Sequence, residues 1–410
     1  MSARRPRRLL AAGLTAAGLL VAAASPGAAA PSARGAATAE TRFALALLPR
    51  LAASGNAVYS PYSMAVALAM TDAGARGATA RQIARVLGAS SPAAAAADAG
   101  ALRRAMPRAV GSGRSAPTLE VANALWTQRG MALEAPFTHT LTGDFGAAPQ
   151  QTDFAADPQA ALGAINGWVS HHTGGIIPDV LPAGSITAQT RLVLANAIYL
   201  KARWATPFEK AQTAPGPFTT AHGTSVRVPF MSVSDAARPY AAGVHWQAVE
   251  LPYAGSSLSL LAILPRGESL AAFEHTLSAG SLAQITGALD PAQRVDLRIP
   301  KLHLHTQTAL DAPLEALGMR AAFGSGADFS AITHAARLRI GLVEHAADLR
   351  LDEAGTVAAG STVVVAPTDA QPVPRHPISV DLDHPFLLLL RDDASGAVLF
   401  VAQVANPAAG

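Results

Sequence analysis

No cysteine occurs among the 410 residues, and only three are lysine: Lys201, Lys210 and Lys301. The first absence excludes a disulfide scaffold, thiolate metal sites, a cysteine nucleophile and a lipoprotein anchor. The second leaves arginine to carry nearly all the basic charge, a compositional bias rather than a mechanism. Charged residues make up just 14% of the chain and aromatics 5%, while half is apolar and the mean hydropathy is +0.25. That apolar share can bury a sizeable core, so wholesale disorder is excluded. No repeat of 20 to 50 residues is present, which argues against a solenoid or propeller. No long charge block or Ser/Gly linker divides the chain.

The start of the chain reads as a separate object. Arg4, Arg5, Arg7 and Arg8 precede an apolar run from Leu9 to Ala24, and small residues follow at Ala22–Ala24 and Ala28–Ala30. This is the layout of a secretory signal over residues 1–30. The run is short for a spanning helix. Removing it takes away four Arg and no acid, so the net charge of +3 becomes −1. Nothing in that balance calls for nucleic acid or an anionic membrane as a partner. The expectation is a secreted protein, free of the membrane once the signal is removed.

In the remainder, helical patterns gather early and strand patterns late, which predicts an α+β domain over 31–410. Ser63–Ala73 reads as a buried helix. Thr79–Leu87 reads as an amphipathic one, with Ile83, Val86 and Leu87 opposite Arg81 and Arg85. Pro158–His171 carries the stripe Ala161, Ile165, Trp168 and Val169. Leu192–Leu200, Leu258–Leu264, Val295–Ile299 and Leu387–Leu390 read as strands.

The usual catalytic constellations are missing. There is no G-x-S-x-G elbow, no S-x-x-K, no H-E-x-x-H helix and no phosphate loop or dinucleotide fingerprint. Ser, His and Asp are plentiful, but no spacing supports a hydrolase. His303 and His305 would share one strand face, which could begin a metal site. Their plainer reading is two polar side chains on a sheet. His171 and His172 would point apart at a helix end. No metal and no cofactor are expected.

One segment stands out. From Asp352 to Pro377 the chain passes through tiny residues, then β-branched ones, then a proline-rich stretch. Ser361–Val365 is β-prone, and a long loop with a latent strand at its base could pair with a sheet. In this setting the chain resembles the serpin family, from about Thr41 to Pro407. Asn56-Ala-Val-Tyr-Ser-Pro-Tyr-Ser63 resembles the family's N-x-x-x-S-P-x-S element. Ile165–Val169 with Thr173, Gly175 and Ile177 resembles its sixth helix and exit. Leu194–Lys201 with Trp204 and Phe208 resembles its N-x-x-x-x-K…W…F block. Ile299-Pro-Lys301, Leu317-Gly318, Phe323, Ala327–Ser330, Asp383–Phe386 and Asn406-Pro407 follow in the family's order.

The resemblance implies a single domain with a large mixed central sheet, smaller sheets, about eight to nine helices and an exposed reactive loop at about 353–380. It implies no enzyme but a serine-type endopeptidase inhibitor, acting as a monomer on an extracellular protease. The protease would be esterified to the cut loop, and the loop would enter the sheet and trap the acyl complex. The alternative is a non-inhibitory binding or carrier protein on the same fold. The resemblance places a hinge at Glu353, Gly355, Thr356, Ala358, Ala359, Gly360 and Ser361. A polar shutter falls at Ser60, Ser63, Asn196 and His345, and Trp204 marks the breach where insertion begins. Ala354 and Val357 depart from the charged residues frequent there. For the reactive bond, counting from the hinge gives Asp369-Ala370. Counting back from Asp383 gives the neighbourhood of Arg375-His376.

Overall fold

The computed structural model describes residues 32–51, 55–356 and 377–409. The expected leader, hinge residues Ala358, Ala359, Gly360 and Ser361, and both reactive-bond candidates (Asp369-Ala370 and Arg375-His376) lie outside these residues. No helix among the described residues is long and apolar enough to cross a membrane.

Nine α-helices and three sheets are present among the described residues. The anticipated helices appear as Pro61–Asp72, Gly77–Val86 and Pro158–His172, and the anticipated strands as Leu192–Arg203, Leu258–Pro265, Arg294–Pro300 and Phe386–Asp392. Helix Pro61–Asp72 is buried on every side. Its small apolar residues let it sit behind the central sheet without a polar face. Ser60 caps it by accepting from the backbone N–H of Ser63 at 3.1 Å, and Pro61 occupies the first turn, where its missing N–H costs nothing.

The central sheet has six strands in the order Leu302–Ala309, Leu342–Asp352, Gly355–Thr356, Leu192–Arg203, Thr118–Gln128 and Gln150–Thr152. It is mixed, because Leu342–Asp352 and Leu192–Arg203 run parallel while each is antiparallel to its outer neighbour. These two strands pair directly at six positions, from Leu342 with Val193 to Ala347 with Ile198. Beyond Ala347 they splay, and Gly355–Thr356 lies between them, antiparallel to both.

Two cores sandwich the sheet. Leu194, Ile198, Leu200, Ala202, Val343 and Leu349 face the main core behind it. Val193, Ala195, Ala197 and Ala346 face a smaller core beneath helix Pro158–His172. This alternation is the period-two pattern of a strand buried on both faces. It also means that anything entering between the two strands must suit both cores.

Candidate functional site

The site is the line along which the two parallel strands meet. Its lower part is latched by side chains. His345 and Asn196 are cross-strand partners in the ladder, and the Nδ1–H of His345 donates to Asn196 Oδ1. The backbone N–H of Ser60 donates to His345 Nε2 at 3.1 Å. That bond makes Nε2 an acceptor, so the ring is neutral. Complete burial holds its pKa down to about 3, which agrees. The Asn196 amide donates to Ser63 Oγ at 2.6 Å and to Asn123 Oδ1. Ser63 Oγ in turn donates to Asn123 Oδ1 at 2.9 Å, and the Asn123 amide returns a bond to Ser63 O at 3.2 Å. The four shutter residues expected from the sequence therefore meet in one buried network.

Asn123 is a fifth member that sequence reasoning missed. It arrives because Thr118–Gln128 pairs with Leu192–Arg203 in a register that sets Asn123 opposite Asn196. Nothing local in the sequence marks it.

In the upper part of the line Gly355–Thr356 lies between the two strands. Asp352 Oδ1 accepts from the backbone N–H groups of Ala354 and Gly355 at 2.8 and 3.1 Å, which closes the turn between the strand and the hinge. A Cβ on Gly355 would sit 2.0 Å from Ala202 O, so only glycine permits this close approach. Thr356 and Tyr253 share a side-chain hydrogen bond of 2.5 Å, both buried. Tyr253 stacks on Trp204 with centroids 4.7 Å apart. The Trp204 indole N–H donates to Asp352 O at 2.9 Å, and its backbone N–H to Ala354 O at 3.0 Å. Trp204 thus packs in the core and also holds the turn.

Glu353 is the anchor. Its carboxylate takes Lys301 Nζ at 2.9 Å and Thr213 Oγ1 at 2.8 Å, and its carbonyl accepts from Phe208 N at 2.9 Å. Burial pushes its pKa up, but Lys301, Thr213 and a backbone N–H outweigh burial and hold it below the usual carboxylate range. Lys301 and Thr213 as its partners, and Tyr253 as the partner of Thr356, were not anticipated from the sequence.

The two observed pairings define a register. Thr356 lies opposite Ala202 on one side and Leu351 on the other. Continued in step, a strand would reach Asn196 and His345 six positions beyond Thr356, and Leu192, the end of its neighbour, ten positions beyond. Such a slot would have twelve positions, two of them taken by Gly355 and Thr356. The first proline after the hinge is Pro367, one residue beyond it. The arrangement offers a sheet with an unfinished middle strand.

Comparison with known proteins gives the following. The family model described as "Serpin (serine protease inhibitor)" matches residues 38–407. Iripin-2 of Ixodes ricinus is 35% identical over 373 residues, covering 89% of this chain and 92% of that protein. Serpin-Z1C of Triticum aestivum is 34% identical over 388 residues, covering 90% and 95%. Among solved structures, the native state of tengpin, a thermophilic serpin, superposes with a TM-score of 0.81 at 26% identity, covering 90% of this chain and 93% of that one. Thyroxine-binding globulin in complex with thyroxine gives 0.80 at 25% identity, covering 90% and 99%.

Proposed function

The chain belongs to the serpin family, and from that premise we propose that it is a secreted inhibitor of extracellular serine-type proteases, working as a suicide substrate. The observation that carries the reading is the seated pair Gly355–Thr356 between two strands that are otherwise paired to each other. An insertion that started from this pair would add to a strand edge already formed.

The residues that would follow suit both cores. On insertion in the same register, Ala358, Gly360, Thr362, Val364 and Ala366 would turn toward the main core. Val357, Ala359, Ser361, Val363 and Val365 would turn toward the front. None is charged, and after Val357 the next four, Ala358 to Ser361, are small, so the strands need open only slightly there. Thr362 would arrive where His345 and Asn196 part and would offer them a hydroxyl in exchange for the bond they lose.

The slot's length bears on the reactive bond. A cut after Asp369 leaves three residues between the last slot position and the acyl ester, a short tether that draws the protease against the end of the sheet. A cut after Arg375 leaves nine, including Pro367, Pro372 and Pro374, which cannot extend a central ladder. Asp369-Ala370 is therefore the bond of choice, and a protease with a cationic specificity pocket is the partner it would suit. Incubating the mature protein with a panel of proteases tests this. A complex that survives denaturing electrophoresis, with the new end mapped to Asp369 by mass spectrometry, is expected. Loop turnover without a complex, for every protease tried, would point to the carrier alternative.

A further inference from the structure

Arg238 follows the strand Ser225–Ala237 and is 2% exposed. No carboxylate among the described residues pairs with it, and burial lowers its pKa to about 10, so it stays charged at neutral pH. Its Nε has no hydrogen-bond partner among the described residues. What the guanidinium does meet is one short segment. Nη2 donates to Thr206 O at 3.2 Å, and Cζ lies 5.5 Å from the centroid of the Phe208 ring, within cation–π range. An isolated buried charge is costly, and an apolar side chain of similar volume would avoid that cost. Packing alone therefore does not call for arginine here.

The segment that Arg238 holds is the one that holds the hinge. Trp204 N donates to Ala354 O at 3.0 Å, and Phe208 N to Glu353 O at 2.9 Å. Five residues further on, Thr213 Oγ1 reaches the Glu353 carboxylate at 2.8 Å. Between these two backbone donors lies Pro207, which has no N–H and can add no donor of its own. The guanidinium braces this stretch from the buried side. Its planar group takes a carbonyl at one edge and a ring at its face, which a neutral side chain of the same size cannot do.

We propose that Arg238 is a positioning residue for the hinge: by gripping Thr206 and Phe208 it fixes the donor that holds Glu353 O, and with it the pivot from which an inserted strand would grow. The grip on the turn is independent of any protease; its part in insertion rests on the inhibitory function proposed for the chain.

Hydrogen exchange of the intact protein, followed by mass spectrometry over residues 204–208 and 352–356, is the test. Arg238→Met keeps much of the volume and removes the charge with both contacts. Exchange in the two segments should quicken about tenfold, as for the loss of one charged hydrogen bond. Tm should stay within about 2 °C of the parent or rise, because a buried charge is removed and the exposed Thr206 carbonyl can turn to water. Arg238→Lys, which keeps a cation near Phe208, should recover part of the protection. Leu141→Ala, buried in helix Ala135–Asp144, should lower Tm and leave both segments at the parent rate. Unchanged exchange in Arg238→Met, or a fall in Tm that quickens exchange equally along the whole chain, overturns the proposal. With a protease that the parent traps, Arg238→Met should release more cleaved protein per complex formed; trapping as efficient as the parent's would refute the part in insertion. A parent that traps no protease would sink the inhibitory function and leave the exchange result to decide for or against Arg238.

Discussion

Cleaving the reactive loop should make the protein markedly more stable, and the register says by how much. Gly355 and Thr356 take two of the slot's twelve positions, which leaves ten for residues 357–366 to take on insertion. A middle strand makes about two ladder hydrogen bonds per residue, or roughly twenty for ten residues, at about 0.5–1.5 kcal/mol net each. Against this stand the six directly paired positions between Leu342–Asp352 and Leu192–Arg203, whose bonds must break. About fourteen bonds are gained, and the sum is on the order of 10 kcal/mol. For about 380 residues, 31–410, the unfolding entropy is roughly 0.8 kcal/mol/K, so Tm should rise by about 12 °C. Circular dichroism melts of intact and nicked samples read this directly. Ala358→Asp gives the control, because its carboxylate would turn toward the main core beside Leu200 and Leu349 and insertion would bury it unpaired. Nicking that variant should leave Tm where it was. If the parent also shows no rise, the reasoning from register to insertion fails.

Other perturbations follow from the same contacts. His345→Ala strands the backbone N–H of Ser60 and Asn196 Oδ1 in a dry interior, at a cost of about 2–4 kcal/mol; a smaller loss of Tm than about 2 °C would show that the latch carries little. Glu353→Lys sets two ammonium groups face to face at Lys301 and removes the Thr213 bond, so the breach should loosen and hydrogen exchange at Gly355 and Thr356 should accelerate, with unchanged exchange arguing against the anchor. Burial raises the carboxyls of Asp72 and Glu274 to about 7; the folded state then holds more protons than the unfolded one between their ordinary values and about 7, so their contribution to stability is present in acid and lost as pH rises through about 7. Asp72→Asn with Glu274→Gln should flatten that decline in urea melts between pH 5 and 8. His345 acts in the opposite sense, since its lowered value favours the neutral ring; its contribution is present above about 6.5 and lost as pH falls toward about 3.

The sequence by itself carried the family and the fold class, and it named four of the five residues that meet in the buried network. Ser60, Ser63 and Asn196 were readable because each sits in a short motif whose order along the chain is distinctive, and His345 because it lies eight residues before Glu353. The helices and strands that were foreseen are those whose apolar residues repeat at 3.6 or 2 or run unbroken, as in Gly77–Val86 and Leu258–Pro265. Thr118–Gln128, Ser225–Ala237 and Leu342–Asp352 were not among the strands foreseen. The last of these carries Glu344, His345, Asp348 and Arg350, and such polar interruptions hide a strand that is buried on both faces.

Only the tertiary structure joined Asn123 to Asn196, Tyr253 to Thr356, Lys301 to Glu353 and Asp348 to the two histidines. Each of these contacts crosses between elements far apart in the chain. The physical reason is register. Which residue faces which across a sheet depends on how whole strands slide against one another, and a shift of one position would turn every side chain to the opposite face.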